Sequence, residues 1–507
     1  MRAPLPVVLL ALVGLGALVP AGHAFLQHQS DVARAFLYSA VVLLVLAAML
    51  ALATANCPRS GPGRSQLATV AGAYLLLPLA MALPLRLALP GSGWGDAWFE
   101  MLSAFTTTGA SVYPPGRLVP SLHLWRALVG WSGGFFILLV AGTVLAPMNL
   151  GGAEVGTGRP AGNPRRETPG TVAGGNPGQS ADGAGRLRRG VRRLLPAYLA
   201  LTGILWIALT ISGEAGLHAL VLAMGTLSTS GIEATPGGPD STSGLGGEIL
   251  LALFMCLAFS RRLIPTGRGP APGMPALWRD PELRLAAALI AMVVLALLSR
   301  HLLVEVQAGT EGAPGDLVRA FWGAAFTATS FLSTTGYESG WWDSARDWAG
   351  LGAPGLMLLG LAMIGGGVGT AAGGVKLLRV SALLLQGRRE LERIVLPSAV
   401  AGGGALRRSL VRDGAYMAWV LMMLFAISVA GVMGLLSLAG LDFDTALVTG
   451  IAALTTTGSL ADVAASAPVG YADLPGTARA ILGAAMILGR LEILVLIALV
   501  APAAWRR

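Results

Sequence analysis

Charged residues are scarce in this sequence. Of its 507 residues, 12% are Asp, Glu, Lys or Arg, whereas 54% are apolar. Soluble proteins carry about 25% charged residues, so the composition excludes an ordinary soluble domain and predicts an integral membrane protein. The formal net charge is +9. In a membrane protein such an excess indicates arginines on the cytoplasmic side and not a nucleic-acid-binding surface.

Cysteine and histidine are also rare. The two cysteines, Cys57 and Cys256, are far apart and stand in no Cys/His cluster, which excludes a disulfide framework and a structural zinc site. A membrane enzyme would need reactive side chains that converge at membrane depth. The five histidines are instead scattered at the edges of apolar segments: His23, His28, His123, His218 and His301. We therefore expect neither an enzyme nor a bound cofactor.

Long apolar runs are present, and about 20 residues suffice to cross a bilayer. We predict ten spans and four shorter apolar helices between them, near 96–106, 214–227, 316–332 and 443–455. The spans are 4–22, 35–55, 66–89, 122–146, 194–212, 245–263, 283–303, 350–371, 412–438 and 478–502. For the first span, a cleaved signal peptide is the alternative.

Arginines cluster before the fifth and ninth predicted spans, at 186–193 and 388–412. Placing both termini in the cytoplasm collects most basic residues on that side and leaves an acidic outer surface. The positive-inside rule favours this orientation. The four short helices then enter the membrane from outside.

A pattern of hydroxyl residues and glycine follows each short helix: "TTTG" at 106–109, "STSG" at 228–231, "STTG" at 333–336 and "TTTG" at 455–458. Because each copy stands between two spans, the chain is a fourfold repeat. We predict an all-α polytopic membrane protein, with an N-terminal two-helix hairpin followed by four helix–pore loop–helix repeats around a pseudo-fourfold central pore. The predicted units are the hairpin 1–60, the repeats 61–150, 191–265, 266–400 and 401–507, and a cytoplasmic Gly/Pro/Arg-rich linker 151–190.

Non-helical backbone at membrane depth is tolerated only inside protein or beside a water-filled cavity. Four re-entrant segments around one axis meet this condition and turn carbonyl oxygens toward a cation. Glycine supplies the positive-φ geometry, and the absence of a carboxylate favours an alkali cation over a divalent ion. The predicted cation-binding filter is Thr107, Thr108, Gly109, Thr229, Ser230, Gly231, Thr334, Thr335, Gly336, Thr456, Thr457 and Gly458.

Acidic residues stand near the predicted start of each short helix: Asp96, Glu214, Asp316 and Asp444. An acid at a helix N-terminus is favoured by capping and by the helix dipole, so the partly negative ends would face the filter. Three more acids follow the glycines and are either a cation vestibule or solvated loop charges: Glu233, Glu338 and Asp462.

Six glycines lie between residues 365 and 374, and one intramembrane arginine, Arg490, stands near Glu492. Each glycine costs a helix interior up to ~1 kcal/mol relative to alanine, so the eighth span should break at 365–374. A phosphate-binding loop is the competing interpretation, but Val375 stands where lysine is required. Arg490 and Glu492 point to different helix faces, and a charge at membrane depth indicates function.

Together these motifs resemble the Trk/Ktr/HKT superfamily of potassium transporters, and the hairpin makes its bacterial TrkH-type branch the closer match. "GGGVGTAAGGVKLLRV" at 365–380 and "LGRLE" at 488–492 extend the resemblance over essentially the whole chain. It implies potassium uptake through the filter, with potassium as the only metal and no cofactor in this chain. It also implies an intramembrane gate and a pore barrier formed by Gly365, Gly366, Gly367, Gly369, Thr370, Gly373, Gly374, Lys376 and Arg490.

The resemblance further implies a homodimer in the bacterial inner membrane, with a cytosolic nucleotide-binding regulatory ring of the TrkA type. Lys376, the only lysine, and Arg379 would lie at the cytoplasmic exit. Thr370-Ala371 stands where the family commonly has Ser-Thr. Gly109 favours potassium, since sodium-transporting plant relatives have serine there. A sodium-permeable relative and a transporter that couples potassium to sodium or protons remain the alternatives.

Overall fold

Apolar segments of this chain form helices because a helix satisfies its own backbone hydrogen bonds, as a lipid environment requires. The computed structural model describes residues 4–55, 64–146, 183–234, 243–264, 277–308, 314–342, 355–395, 414–465 and 468–491. Every long regular element in these ranges is an α-helix, as predicted. The helices are α1 (Leu5–Leu26), α2 (Ser30–Ala53), α3 (Arg64–Ala88), α4 (Trp94–Phe105), α5 (Pro120–Val140), α6 (Gly183–Ile211), α7 (Gly216–Ser228), α8 (Gly244–Met255), α9 (Pro281–Ala308), α10 (Pro314–Leu332), α11 (Gly355–Ile364), α12 (Leu377–Val395), α13 (Ala415–Leu438), α14 (Phe443–Thr455), α15 (Leu460–Val463) and α16 (Gly476–Leu491).

Within the described ranges, seven helical segments are long and apolar enough to cross a membrane. They are Leu5–Leu26, Ser30–Ala53, Gln66–Ala88, Pro120–Leu145, Gly185–Ile211, Pro281–Arg300 and Ala415–Leu438. Of the ten predicted spans, the tenth continues past Leu491 into residues outside the described ranges. Cys57, Glu492 and linker residues 151–182 also lie outside them. The sixth and eighth predicted spans are interrupted.

The interruption of the sixth predicted span, 245–263, was not expected from the sequence. Helix α8 ends at Met255, and Ser260 is extended, with φ −153° and ψ 132°. The Ser260 hydroxyl donates to Asp280 at 2.9 Å. The Ala258 carbonyl accepts a hydrogen bond from the Gly367 N–H at 2.8 Å. Contacts with distant residues therefore replace the helical hydrogen bonds here.

The eighth predicted span breaks where its glycines begin, as expected. Helix α11 ends at Ile364 and α12 begins at Leu377, which leaves the glycine-rich loop, residues 365–376, between them. Three backbone hydrogen bonds of 2.8–2.9 Å join the two ends of this loop, from the N–H groups of Val375, Lys376 and Leu377 to the carbonyls of Met363, Ile364 and Gly366. The loop therefore begins and ends at the same place, where the end of α11 meets the start of α12.

The short helices α4, α7, α10 and α14 pack in a closed order. Each contacts the helix before it and the helix after it in the chain. In addition, α5 contacts α7, α8 contacts α10, α11 contacts α14, and α16 contacts α4. Each of α5, α8 and α11 therefore packs against the next short helix in the chain, and α16 closes the order by packing against the first. Helix α1 packs outside this arrangement, against α2, α3 and α5.

Glycine allows the closest of these contacts. A Cβ on Gly133 of α5 would lie 2.0 Å from the carbonyl oxygen of Phe105, at the end of α4. A Cβ on Gly489 of α16 would lie 2.1 Å from the carbonyl oxygen of Leu454, near the end of α14. Real side chains do not approach backbone so closely, so these two glycines set the distance between helices.

Replacing Gly133 with alanine should destabilise the fold, because α5 must move away from α4. Overpacking typically costs about 1–3 kcal/mol, so we expect the apparent melting temperature in detergent to fall by several degrees. Gly72→Ala in α3 is the matched control, since no atom lies within 4 Å of the added Cβ. Equal melting temperatures for the two variants would contradict this account of the packing.

Candidate functional site

The four hydroxyl-glycine tetrapeptides stand at the C-terminal ends of α4, α7, α10 and α14. In each, the second residue has a left-handed backbone: φ is 56° at Thr107, 54° at Thr229, 57° at Thr334 and 54° at Thr456. A β-branched residue rarely adopts this conformation. Its occurrence at the same place in all four copies indicates one local structure formed four times.

This local structure is a Schellman cap. The third residue of each tetrapeptide donates its N–H to the carbonyl five residues back, with Thr108 to Ser103 at 2.8 Å as the first example and Thr457 to Ala452 at 2.9 Å as the last. The second residue donates to the carbonyl three residues back, as from Thr107 to Ala104 at 2.9 Å. Glycine normally occupies the left-handed position of this cap. Here threonine does, and the sequence pattern carried no signal for it.

The glycines lie where neighbouring tetrapeptides touch. A Cβ on Gly109 would lie 2.2 Å from the Ser230 carbonyl oxygen, and one on Gly231 would lie 2.1 Å from that of Thr335. A Cβ on Gly336 would lie 2.1 Å from the Ser459 hydroxyl. The sequence of contacts closes at Gly458, whose Cβ would lie 2.4 Å from the Ala110 nitrogen. The four tetrapeptides therefore form a closed set in chain order, which we call the tetrapeptide ring.

The fourth tetrapeptide differs from the first although their letters are identical. Gly109, Gly231 and Gly336 have φ of 77°, 60° and 84°, whereas Gly458 is not left-handed. The expectation that all four glycines supply a positive φ is therefore wrong for Gly458. Its N–H instead donates to the Thr108 carbonyl at 2.6 Å, so glycine is required there for close approach.

Tyr471 also holds the fourth tetrapeptide. Its hydroxyl donates to the Gly458 carbonyl at 2.8 Å. Burial raises the pKa of the Tyr471 phenol, so the hydroxyl stays protonated at neutral pH and remains a donor. This residue lies 13 positions after the glycine, and sequence reasoning missed it because no local pattern connects the two.

The glycine-rich loop lies against one side of the tetrapeptide ring. The Gly373 N–H donates to the Thr334 hydroxyl at 2.8 Å. A Cβ on Gly373 would lie 2.0 Å from the Thr455 carbonyl oxygen and 2.6 Å from the Thr456 hydroxyl. Two of the left-handed threonines therefore contact this loop directly. Thr334 accepts a hydrogen bond from it, and the Thr456 hydroxyl packs against Gly373.

Arg490 joins the loop to the first tetrapeptide. It is buried, with 4% of its surface exposed. Its guanidinium donates to the Ala371 carbonyl at 2.5 Å and to the Thr107 hydroxyl at 2.5 Å. A cavity of about 20 Å³, room for about one water molecule, remains beside Thr229, Ala258, Thr370 and Ala371.

The opposite side of the loop is held by the segment that follows α8 and by α9. The Gly367 N–H donates to the Ala258 carbonyl, and the Val368 N–H donates to the Glu282 carboxylate, both at 2.8 Å. The Thr370 hydroxyl turns back to the Gly367 carbonyl at 2.7 Å. The loop is therefore held mainly through its backbone, which needs no second hydroxyl beside Thr370.

Comparisons with known proteins agree with this geometry. The family model described as "TrkH: Cation transport protein" matches residues 273–506. The Trk system potassium uptake protein TrkH of Vibrio parahaemolyticus is 28% identical, over 98% of this chain and 97% of that protein. The protein of the same name from Escherichia coli is 26% identical over 98% of each chain. The crystal structure of the potassium transporter TrkH from Vibrio parahaemolyticus superposes with a TM-score of 0.78 at 26% identity, covering 99% of this chain and 98% of that one.

The chain therefore resembles TrkH proteins over nearly its full length, and its residues 273–506 match the TrkH family model. The matching family and these relatives are named for cation transport and potassium uptake, which is not an enzyme class, and this chain has helices long and apolar enough to cross a membrane.

Within this TrkH-like fold, the two cations expected at the cytoplasmic exit, Lys376 and Arg379, are buried. Lys376 is 9% exposed and has φ 87°, and its ammonium group donates to the Ala372 carbonyl. Arg379 is 3% exposed and donates to the Val375 carbonyl at 3.2 Å. Both side chains therefore hydrogen-bond to the loop and do not stand free at an exit.

The acids near the short-helix starts have specific partners. Asp96 forms an ion pair with Arg479 of α16 at 2.6 Å, and Glu214 accepts the Ser243 N–H at 3.2 Å. The Asp316 side chain lies outside the described residues. Asp444 lies in the first turn of α14, as expected, and the N-cap itself is Asp442, whose carboxylate accepts the Thr445 N–H at 3.1 Å. Hydrogen bonds from Thr445 lower the pKa of Asp442.

Removing the Thr334 hydroxyl should loosen the glycine-rich loop. Thr334→Val keeps the β-branched shape but leaves the buried Gly373 N–H without its acceptor, a loss of about 1–3 kcal/mol. We expect amide hydrogen exchange across 365–376 to accelerate about fivefold or more. Thr210→Val, on the exposed side of α6, is the control. Equal protection of the loop in parent and variant would show that this bond does not hold it.

Proposed function

We propose that this chain carries potassium ions across the membrane through the tetrapeptide ring. The observation that carries the proposal is the closed contact of four Schellman-capped tetrapeptides, with the glycine-rich loop against one side. The relatives' names, Trk system potassium uptake protein, point to the same substrate. No cofactor is required, because the step is passage of an ion and not a chemical conversion.

Carbonyl and hydroxyl oxygens are the proposed ligands. The third-position carbonyls of Thr108, Ser230 and Thr335 lie at the joints between tetrapeptides. Oxygen dipoles of this kind replace the hydration shell of an alkali cation. The tetrapeptides carry no carboxylate, so they lack the charged oxygens typical of strong divalent sites. Ions would therefore be held weakly enough to move on.

The glycine-rich loop and Arg490 are the proposed gate and barrier. The loop backbone lies directly against Thr334, Thr455 and Thr456. The buried guanidinium of Arg490 adds a positive charge between loop and ring. A cation that leaves the ring on this side would meet both, so conduction requires the loop to move. In this arrangement the pathway is closed.

We also propose an orientation in the membrane, an oligomeric state and a partner. Both termini are placed in the cytoplasm of a bacterial cell, with the four short helices entering from outside. The protein is proposed to form homodimers on a cytosolic nucleotide-binding ring of the TrkA type. The arginine-rich stretches around 186–193 and 388–393 support this orientation, and they offer a charged surface for such a ring.

Flux through purified protein in liposomes tests the filter. We expect potassium and rubidium to permeate well and sodium poorly. Gly109→Ser should reduce that preference about tenfold or more, because its side chain meets the Ser230 carbonyl. Gly91→Ser is the matched control, since Gly91 has a similar φ of 84° but no neighbour within 4 Å of its Cβ. Sodium flux equal to potassium flux in the parent would refute the choice of substrate.

Shortening the loop tests the gate. Deleting residues 368–372 removes the apex but keeps the hydrogen bonds that join Met363 to Val375 and Gly366 to Leu377. We expect potassium flux to rise severalfold. Arg490→Gln should also raise flux, because the positive barrier is lost, whereas Arg393→Gln on the exposed side of α12 should not. Unchanged or lower flux in a monodisperse deletion variant would count against the gate.

A further inference from the structure

Two buried carboxylates lie just beyond the tetrapeptide ring and take no part in it. Glu248 of α8 is 0% exposed, and Glu100 of α4 is 1% exposed. A buried carboxylate is costly unless hydrogen bonds and charges compensate it. The partners of these two therefore indicate what each one holds in place.

Glu248 reaches from α8 to α10 and to the segment that follows Gly336. Its carboxylate accepts the Trp322 indole N–H at 2.6 Å, the Ser339 hydroxyl at 2.9 Å and the Gly340 N–H at 2.9 Å. Trp322 belongs to α10, whereas Ser339 and Gly340 follow the ring glycine Gly336. One side chain thus ties the short helix to the segment that leaves the ring.

Glu100 of α4 makes equivalent contacts with the segment that follows Gly109. Its carboxylate accepts the Val112 N–H at 2.8 Å and the Ser111 hydroxyl at 3.0 Å. It also forms an ion pair with the buried Arg126 of α5, with Nε 2.6 Å from Oε1. Ser111 and Val112 follow Gly109 by two and three residues. The same task is therefore performed twice, from two different helices.

The geometry points to Glu100 and Glu248 as positioning residues that set ion selectivity, and this inference rests on the proposed function of the ring. Between Gly336 and Ser339 the chain has three steps, which span at most ~11 Å when extended. Such a short segment transmits a displacement of Ser339 to the ring. Selectivity among alkali cations depends on the spacing and number of oxygen ligands, so the carboxylates act on it through the backbone.

Carboxylate chemistry suits this position. The three partners of Glu248 named above are all donors, and an ionised carboxylate is an acceptor only. A glutamine of the same size would bring an NH₂ group against at least one of these donors. Both carboxylates are buried and hydrogen-bonded, so they do not serve as an exposed vestibule charge. A positioning role predicts a change in the ratio between ions, whereas a vestibule charge would change the flux of every cation alike.

The test compares the parent protein, Glu248→Gln and Glu390→Gln in liposomes. Potassium flux and sodium flux are measured at equal amounts of reconstituted protein. Glu390 is on the exposed side of α12 and is the control. We expect Glu248→Gln to lower the potassium-to-sodium ratio about tenfold, which corresponds to ~1.4 kcal/mol between the two ions. Potassium flux itself should change less than the ratio. An unchanged ratio, or an equal loss of both fluxes, would overturn the inference.

Trp322→Phe is the second variant, because it removes one donor to Glu248 and keeps an aromatic ring in α10. If Glu248→Gln cannot be purified, the ratio in Trp322→Phe decides the matter, and a parent-like value overturns the inference. Gly109→Ser separates this inference from the proposed function. If Gly109→Ser loses the preference for potassium while Glu248→Gln and Trp322→Phe keep the parent's potassium-to-sodium ratio, the ring still acts as the filter but the two carboxylates do not position it. A parent without potassium preference would remove both.

Discussion

The structure depends on one constraint, that backbone polar groups away from water must find partners within the protein. The four short helices and the glycine-rich loop expose N–H and carbonyl groups where a continuous helix would have none. Schellman caps satisfy the ends of α4, α7, α10 and α14. The glycine-rich loop closes on itself between Met363 and Leu377, and three further N–H groups of the loop donate to Thr334, Ala258 and Glu282.

This constraint also connects the ring with the loop. Left-handed threonine is an unfavourable choice for a helix cap, but it places a hydroxyl beneath the ring where glycine would place none. Thr107 uses that hydroxyl to accept from Arg490, and Thr334 uses it to accept from Gly373. The conformational cost at Thr107 and Thr334 is thus offset by hydrogen bonds from Arg490 and from the loop, respectively. Any movement of the loop must break bonds that end on the ring.

Much of the fold was predictable because its signals are local. Helix lengths follow from apolar runs, and the break after Ile364 follows from the glycine-rich composition of 365–374. What escaped prediction depends on distant partners. The helix after Met255 is interrupted because Asp280 and Gly367 bind its next turn. The N-cap of α14 is Asp442, whose carboxylate accepts the Thr445 N–H, while Asp444 lies in the first turn.

The sequence by itself determined where most of the long apolar helices form, with the interrupted sixth predicted span as an exception, and where hydroxyls and glycines recur. These properties depend on residues close together in the chain. Only the tertiary structure decided how the recurrences differ. "TTTG" at 106–109 and at 455–458 are the same letters, yet Gly109 is left-handed and Gly458 is not. The reason is that Gly458 meets Thr108 and Tyr471, whereas Gly109 meets Ser230, and a local sequence does not specify its neighbours.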